Sequence, residues 1–215
     1  MITHAMQDYL KCIYELQELG EPAITSTLAS WLNISPGSAT SMVKKLSERE
    51  LLDYKPYEGF KLTGKGREIA VKVVRNHRLI ELFLTRVLDV PWDRVHNEAH
   101  QLEHAMSDYV AERIANLLGE PRTDPHGSPI PDRNGLVGLY ELRKLSTIDA
   151  GQSVIVTRLD DEDPDLLRYV GDLGLYPETA VEVLGREPFG GAIHLRINGV
   201  ERTLGVQAAE HIWIR

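Results

Sequence analysis

The chain has 215 residues, of which one is a cysteine, and its formal net charge at pH 7 is −8. This length suits one large domain or two to three small ones. The single Cys12 excludes an intrachain disulfide framework or a cysteine-based zinc finger. No stretch approaches the roughly 20 apolar residues that span a bilayer, and the opening residues lack a secretory signal pattern. The sequence therefore predicts a cytoplasmic protein without a membrane segment.

The charge is unevenly distributed along the chain. Between Thr25 and Arg67 there are seven basic and four acidic residues, which gives +3, so the remainder carries −11. A locally basic segment on an acidic body is typical of a protein with one nucleic-acid-binding face. An ordinary solvated surface is the alternative that charge alone leaves open.

The N-terminal part predicts a winged helix. A helix is expected over residues 5–18 with Thr3 as its cap. Two short helices, Thr25–Trp31 and Pro36–Arg49, follow and are joined by a tight turn, which is the helix-turn-helix arrangement. The next segment, LLDYKPYEGFKLTGKG, alternates apolar and polar residues around a turn at Pro56–Gly59 and predicts a β-hairpin.

The residue pattern of the rest of the chain changes twice, from helical to loop-like and then to strand-like. Two long helices are predicted, over Lys65–Val87 and Trp92–Leu118. Residues 119–135 are rich in proline, glycine and polar side chains, which predicts an ordered loop or an interdomain linker. From about Ser146 the segments SVIVTRL, AVEVLGRE, AIHLRIN and HIWIR predict short strands of a small β-barrel, with a short helix at Pro164–Gly171.

A run of imidazoles and carboxylates in the second long helix carries the strongest chemical signal. Offsets of 0, 4, 7 and 8 residues fall on one face of a helix, and they describe His96, His100, Glu103 and His104. Another pair, His77 and Glu81, is spaced by four residues on the preceding helix. Imidazole and carboxylate are ligands that first-row divalent metals share, so the spacing predicts metal binding.

One part of this run also matches an enzyme signature. His100-x-x-Glu103-His104 fits the pattern of inverzincin proteases. In that chemistry the two histidines hold zinc and Glu103 is the general base. A metallopeptidase is therefore the alternative function, although a winged helix has no place in it.

Several segments together resemble the diphtheria toxin repressor family of metal-dependent transcriptional regulators. They are DYLKCIYEL, SPGSATSMVKKL, LTGKG, NHRLIELFL, VHNEAHQLEHAMSD and PHGSPIP, and the first is especially similar to the manganese-responsive members. The resemblance covers nearly the whole chain. It implies a mainly α-helical protein with a winged helix-turn-helix domain at 1–64, a helical dimerisation and metal-binding domain at 65–135, and an SH3-like (FeoA-like) β-barrel at 136–215.

The resemblance implies two groups of metal ligands. In the first group the matching positions are Asp8, His100, Glu103 and His104. Iron-responsive members have methionine and cysteine in place of Asp8 and His100, whereas manganese-responsive members have aspartate and commonly glutamate there. Lys11 stands where a paired-metal site has a further glutamate, which argues against two ions at this place.

The second group of ligands joins the first long helix, the linker loop and the barrel. The matching positions are Glu81, His126 and a carboxylate of RLDDEDPD, best aligned as Asp161. Asp124 stands where some relatives have cysteine, and His77 and His96 match positions of ancillary metal binding. A turn cap at Asp124 and a solvated acidic run at residues 160–165 are the structural alternatives.

The family likeness further implies a homodimer that binds double-stranded operator DNA and represses metal-uptake genes in response to Mn²⁺ or Fe²⁺. Ligands of this type also bind Zn²⁺, Co²⁺, Ni²⁺ or Cd²⁺ in vitro. The residues expected to contact DNA are Thr25, Thr27, Ser35, Pro36, Gly37, Ser38, Thr40, Ser41, Lys44, Lys45, Lys55, Lys61 and Lys65. A metal-buffering dimer without a DNA role is the remaining hypothesis.

Overall fold

A computed structural model of the chain describes residues 2–55, 59–133, 135–136 and 142–215. These residues form two compact units, each assembled from separate stretches of sequence. The first unit comprises Met1–Asn76, Glu103–Met106 and Pro131–Leu136, and the second comprises His77–Leu102, Ser107–Ile130 and Val137–Arg215. The division into three domains at residues 64/65 and 135/136 stays a prediction.

Three helices open the first unit: α1 (His4–Glu18), α2 (Thr25–Trp31) and α3 (Pro36–Glu48). Thr3 caps α1, because its hydroxyl oxygen accepts a hydrogen bond from the backbone N–H of Met6. The predicted first helix and the helix-turn-helix are therefore confirmed.

The start of α3 has the chemistry expected of a recognition helix. Ser35 is the N-cap, and its hydroxyl oxygen accepts the backbone N–H of Ser38 at 3.1 Å. Pro36 follows at the first helical position, where its missing N–H has no partner to lose. The buried face of this helix consists of Ala39, Val43 and Leu46, so the opposite face is exposed.

The wing is a two-stranded antiparallel hairpin of β1 (Leu52–Lys55) and β2 (Gly59–Leu62). This confirms the predicted hairpin, whose turn at Pro56–Gly59 lies, except for Gly59, outside the described residues. Gly59 has a φ of +80°, and a Cβ there would lie 2.4 Å from the carbonyl oxygen of Ala23. Only glycine permits this close approach of the wing to the segment before α2.

The helices after the wing differ from the prediction. The first, α4 (Gly64–Leu88), confirms the expectation for Lys65–Val87. The expected second long helix, Trp92–Leu118, is wrong: the chain forms α5 (Val95–Leu102) and α6 (Asp108–Leu117) instead.

A polar side chain and a cap account for this break. The side-chain amide of Asn76 donates to the carbonyls of Glu103 and Met106, at 3.1 and 3.3 Å. Ser107 then caps α6, since its hydroxyl oxygen accepts the N–H of Val110. The side chains of Asn76 and Ser107 thus form hydrogen bonds with backbone groups that a continuous helix would pair with each other.

The last part of the chain is an antiparallel sheet with six strands, in the spatial order β3-β8-β4-β5-β6-β7. The strands are β3 (Arg143–Lys144), β4 (Ser153–Leu159), β5 (Ala180–Arg186), β6 (Ile193–Ile197), β7 (Val200–Leu204) and β8 (Ile212–Ile214). Helices α7 (Pro164–Asp172) and α8 (Val206–Ala209) lie between strands in sequence.

The four predicted strands and the predicted helix at Pro164–Gly171 are confirmed. Strands β3 and β7 were not predicted. Strand β3 has only two residues, and four of the five residues of β7 are exposed and leave no alternation to detect. The predicted small β domain with a short helix at the C-terminal end is confirmed.

Each unit has its own apolar core. In the first unit the core joins the inward faces of the winged helix to the start of α4, and in the second it fills one side of the six-stranded sheet. Among the residues that the structure describes, no helix combines the length and the apolar character needed to cross a membrane.

Candidate metal centres

One group of imidazoles and carboxylates lies wholly within the second unit. Its members come from α4, α5, the loop after α6 and the loop after β4. We call it the α4 cluster. It joins two overlapping sets of donors that share Glu81 and Asp161: the first adds His77 and His96, and the second adds Asp124 and His126. Four separate segments of the chain thus contribute donor atoms to one place.

Two carboxylates lie at the centre of the α4 cluster. The Oε1 atom of Glu81 is 3.0 Å from His77 Nε2, 3.4 Å from His96 Nδ1 and 3.9 Å from His126 Nδ1. The Oδ2 atom of Asp161 is 3.5 Å from both His96 Nδ1 and His126 Nδ1. Within each of the two overlapping sets of donors, one ligand atom of every residue lies within 4.8 Å of the others.

The loop that carries His126 is held by hydrogen bonds and by a glycine. One carboxylate oxygen of Asp124, Oδ1, accepts the backbone N–H groups of His126 and Ser128 at 2.8 and 2.9 Å. Gly127 has a φ of +90°, and a Cβ there would lie 1.9 Å from the carbonyl oxygen of Thr157 on β4. The turn-capping alternative for Asp124 is therefore correct for one of its two oxygens.

The other oxygen of Asp124, Oδ2, faces a buried arginine that the sequence reasoning missed. It lies 3.9 Å from Nε of Arg78, whose guanidinium also donates to the carbonyl of Pro129. Burial raises the pKa of Asp124 to about 6, and the negative charges of Glu81 and Asp161 act in the same direction. Arg78 directly follows His77, but nothing in the sequence reveals its partner.

The charges in the α4 cluster shift its titrating groups strongly. Burial favours neutral imidazoles, but the carboxylates outweigh it and raise the pKa of His96 to about 11 and that of His126 to about 10. Burial also opposes ionisation of Glu81 and Asp161, yet the neighbouring histidines lower both pKa values well below the usual range. The metal-free cluster therefore carries imidazolium and carboxylate ions at neutral pH.

The acidic run at residues 160–165 is not simply solvated. Asp160 lies 2.8 Å from Nδ1 of His211, and Asp161 belongs to the α4 cluster. Asp163 caps α7, because its carboxylate accepts the backbone N–H of Asp165 and of Leu166. Three neighbouring aspartates thus have three different structural roles.

The donor set of the α4 cluster fits a divalent cation. Within the described part of the chain, Glu81 Oε2, Asp124 Oδ2 and His126 Nδ1 are buried and have no hydrogen-bond partner. Buried polar atoms without a partner are costly. An ion bound by oxygen and imidazole would satisfy them with ligands that Mn²⁺, Fe²⁺ and Zn²⁺ accept.

A second group of donors lies within the first unit, between α1 and the turn after α5. The carboxylate of Asp8 is 2.7 Å from His104 Nε2, which is also 3.4 Å from Oε1 of Glu103. We call Asp8, Glu103 and His104 the α1 cluster. Lys11 donates a hydrogen bond of 2.9 Å to the other oxygen of Glu103, Oε2, and both residues are buried.

Helix α5 ends at Leu102, before two of the residues that the sequence places on one helix face. Glu103 and His104 lie in the turn that follows α5, so the single continuous helix expected to carry them together with His96 and His100 is wrong. His96 belongs to the α4 cluster, whereas His100 is exposed near the end of α5 in the second unit.

The sequence reasoning also missed His4. Its ring stacks on that of His104, with centroids 4.6 Å apart and planes 16° from parallel. The spacing of four residues from Asp8 on the same helix was the available signal.

The residues assigned to DNA lie on or near the helix-turn-helix and the wing. Thr25, Thr27 and Lys61 are half-buried, and the remaining positions are exposed. The exposed ones are Ser35, Pro36, Gly37, Ser38, Thr40, Ser41, Lys44, Lys45, Lys55 and Lys65. Their contacts with DNA stay a prediction.

Comparison with known proteins places the chain in a family. Residues 1–60 match the family described as "Iron dependent repressor, N-terminal DNA binding domain", and residues 63–132 match its "metal binding and dimerisation domain". The iron-dependent repressor IdeR of Mycobacterium bovis is 34% identical over 208 residues, covering 90% of this chain and 88% of that protein. The chain belongs to the diphtheria toxin repressor family. Residues 143–215 match the FeoA domain.

Other members of the family agree with this assignment. The diphtheria toxin repressor of Corynebacterium jeikeium is 36% identical over 160 residues, covering 73% of this chain and 67% of that protein. A solved structure described as a manganese-dependent transcriptional repressor in complex with manganese has a TM-score of 0.91 and 39% identity. It covers 97% of this chain and 98% of its own.

The family consists of metal-dependent DNA-binding transcriptional repressors, and this chain is one of them rather than an enzyme. The metallopeptidase alternative has no support. The geometry is also unsuitable for it, because the carboxylate of Glu103 is fully buried and bonded to Lys11.

Proposed function

We propose that the chain is a homodimeric repressor of metal-uptake genes whose binding to operator DNA depends on Mn²⁺ or Fe²⁺. The α4 cluster carries this proposal, because it gathers three imidazoles and three carboxylates, and three of their buried polar atoms, Glu81 Oε2, Asp124 Oδ2 and His126 Nδ1, have no hydrogen bond. Relatives named as iron-dependent or found in complex with manganese support the choice of metal.

In this proposal the α4 cluster holds one divalent ion. Glu81 and Asp161 are its central ligands, and the imidazoles of His77, His96 and His126 complete the donor set. Asp124 serves in two ways: one oxygen fixes the loop of His126, and the other is available to the ion.

The α1 cluster is proposed to hold a second ion through Asp8, Glu103 and His104. Lys11 bonds Oε2 of Glu103, while Oε1 faces His104 at 3.4 Å and is the proposed ligand atom. The positive charge of Lys11 suits a single cation at this place. His100, which the sequence resemblance matches to the same set of ligands, is retained as a ligand in this proposal.

The ligand chemistry favours hard or borderline ions. Neither cluster offers a thiolate, and oxygen with imidazole suits Mn²⁺ and Fe²⁺. Zn²⁺, Co²⁺, Ni²⁺ and Cd²⁺ are expected to bind in vitro as well, because affinity rises toward the later metals. Cellular metal supply would then decide which ion acts.

The exposed face of α3 is proposed to enter the major groove of double-stranded operator DNA. Small hydroxyl side chains there suit methyl contacts and readout of DNA shape, while lysines of α3 and the wing meet phosphate. In a dimer, two such helices must reach successive grooves roughly 34 Å apart. A cytoplasmic location follows from this role.

The metal would act by linkage. An ion favours the DNA-competent state only to the extent that it binds that state more tightly than the others. When bound, it supplies positive charge that fixes carboxylates and imidazoles from separate segments. The chain's own part is to hold α1 against the turn after α5 through Asp8, Glu103 and His104, and thereby to position the reading helix.

The test is operator affinity, measured by fluorescence anisotropy, as a function of buffered free Mn²⁺. Affinity is expected to rise with Mn²⁺ in the natural chain and to respond weakly in Glu103→Gln. Glu98→Gln, an exposed change on α5, is the matched control and should behave as the natural chain. Mn²⁺ binding without any change in DNA affinity would instead indicate a metal-buffering dimer.

A further inference from the structure

We propose that Trp92 is a positioning residue of the α4 cluster. Its backbone carbonyl selects the ring nitrogen that His126 presents to the cluster. Its indole packs between the ring of His126 and helix α7 and thereby fixes the position of this carbonyl. The inference rests on the proposed function, since it assumes that the α4 cluster binds a divalent cation.

The carbonyl of Trp92 determines which nitrogen of His126 carries hydrogen. His126 Nε2 lies 2.7 Å from this oxygen, and because a carbonyl can only accept, Nε2 must be the donor. The other ring nitrogen, Nδ1, faces Asp161 Oδ2 at 3.5 Å and Glu81 Oε1 at 3.9 Å. A histidine that binds metal through one nitrogen usually donates the other to such an acceptor.

The indole of Trp92 is wedged between the loop of His126 and α7. Its ring centroid lies 5.6 Å from that of His126 and 4.8 Å from that of Tyr176. The indole also contacts α7 at Gly171, where an added Cβ would lie 3.0 Å from the Cζ2 atom of Trp92. The absence of a side chain at Gly171 therefore permits the observed position of Trp92.

The neighbouring residue fixes the same segment to α7 a second time. The carboxylate of Asp93 accepts a hydrogen bond of 2.8 Å from the guanidinium of Arg168. Helix α7 begins at Pro164, three residues after Asp161. Residues 92–93 are thus bonded to α7, the helix that follows the proposed ligand Asp161. The carbonyl of Trp92 in the same segment orients the other proposed ligand, His126.

Nuclear magnetic resonance can test the first half of the proposal directly. In the full chain loaded with Zn²⁺, long-range ¹H–¹⁵N spectra should show His126 protonated at Nε2 and bound to metal through Nδ1. Its signals are assigned by their loss in His126→Gln. Metal at Nε2 with hydrogen on Nδ1 would overturn the proposal.

A pair of glycine substitutions tests the second half. Gly171→Ala is expected to displace the indole and weaken Zn²⁺ binding at the α4 cluster by about 10–100-fold, the usual cost of losing an outer partner. Gly185→Ala in β5, where nothing lies within 4 Å of the added Cβ, is the control. Calorimetry uses the full chain in an Asp8→Asn background, so that the α1 cluster does not contribute.

Two further variants separate positioning from simple packing. Adding Trp92→Phe to Gly171→Ala provides room for the new methyl group and should restore part of the lost affinity. A Gly171→Ala protein that is folded and binds Zn²⁺ normally would overturn the proposal while leaving the metal site intact. If Glu81→Gln also leaves Zn²⁺ binding unchanged, it is the proposed function of the cluster that fails.

Discussion

The two clusters differ in how much negative charge they leave for an ion. In the α1 cluster, the carboxylates of Asp8 and Glu103 are partly neutralised by Lys11, which bonds Glu103 directly at 2.9 Å. In the α4 cluster, three carboxylates face one arginine, Arg78, at 3.9 Å from the nearest of them. With neutral imidazoles, the formal charge of the α1 cluster with Lys11 is −1, and that of the α4 cluster with Arg78 is −2.

This difference indicates two ways of stabilising a cluster of buried carboxylates without metal. The α1 cluster has a permanent cation of its own, a lysine ammonium. The α4 cluster has Arg78 and, in addition, holds protons on His96 and His126, whose pKa values are raised to about 11 and 10. A divalent ion can therefore replace two protons in the α4 cluster without a change in net charge.

Removing the ammonium should have the largest effect on the metal-free protein. Lys11→Met leaves the buried carboxylate of Glu103 without its lysine, and breaking such a pair costs about 3–5 kcal/mol. Thermal unfolding without metal measures this loss, and added Mn²⁺ should recover part of it. Lys72→Met, an exposed change on α4, is the control, and equal stability of the two variants would contradict the expectation.

The α4 cluster should be most sensitive at its central carboxylate. Glu81→Gln is expected to lower Zn²⁺ affinity by more than about 100-fold, because loss of an outer partner alone costs about 10–100-fold. Calorimetry on the full chain measures the change. Glu68→Gln, an exposed position of the same helix, should bind Zn²⁺ normally, and similar behaviour of both variants would exclude Glu81 as a ligand.

Metal binding to the α4 cluster should depend steeply on pH. Since His96 and His126 are protonated at neutral pH, an ion must displace two protons, and its affinity should rise by up to about 100-fold per pH unit. Calorimetry in buffers of different ionisation enthalpy should detect about two protons released per ion. Release close to zero would show that the imidazoles are neutral before metal binds.

The metal-free protein should show the opposite trend in stability. A histidine whose pKa is raised by folding stabilises the fold fully below its unfolded pKa of about 6.5. That contribution is lost as pH rises through the folded values of about 10 and 11. Chemical unfolding between pH 7 and 10 should therefore show declining stability without metal.

The smallest effect on stability is expected at Lys44, which is exposed, whereas Lys11 is buried. Lys44 lies 4.0 Å from Glu48 on the surface of α3, and such exposed pairs contribute about 0.3–0.5 kcal/mol. Lys44→Ala should barely change stability but reduce the salt dependence of operator binding by about one unit of slope. An unchanged slope would assign Lys44 to solvent.

Much of the fold follows from local patterns. Helix starts are indicated by capping side chains and by proline at the first helical position, as at Thr3, Ser35 and Pro36. The alternation of apolar and polar residues identifies most strands. The break between α5 and α6 was missed because Asn76, far away in sequence, binds the carbonyls that end α5. Ser107 followed by Asp108 was a local signal for the start of α6, but the helical periodicity concealed it.

The sequence by itself determined the kinds of donor atoms, the winged helix and the family, because residue type, short spacing and helix caps are local properties. Tertiary structure alone decided how the donors group. His96 joins Glu81 and Asp161, Glu103 pairs with Lys11, and Trp92 meets His126. Such partnerships join residues distant in sequence, and the charges of these neighbours set the charge states against the effect of burial, so no local pattern encodes them.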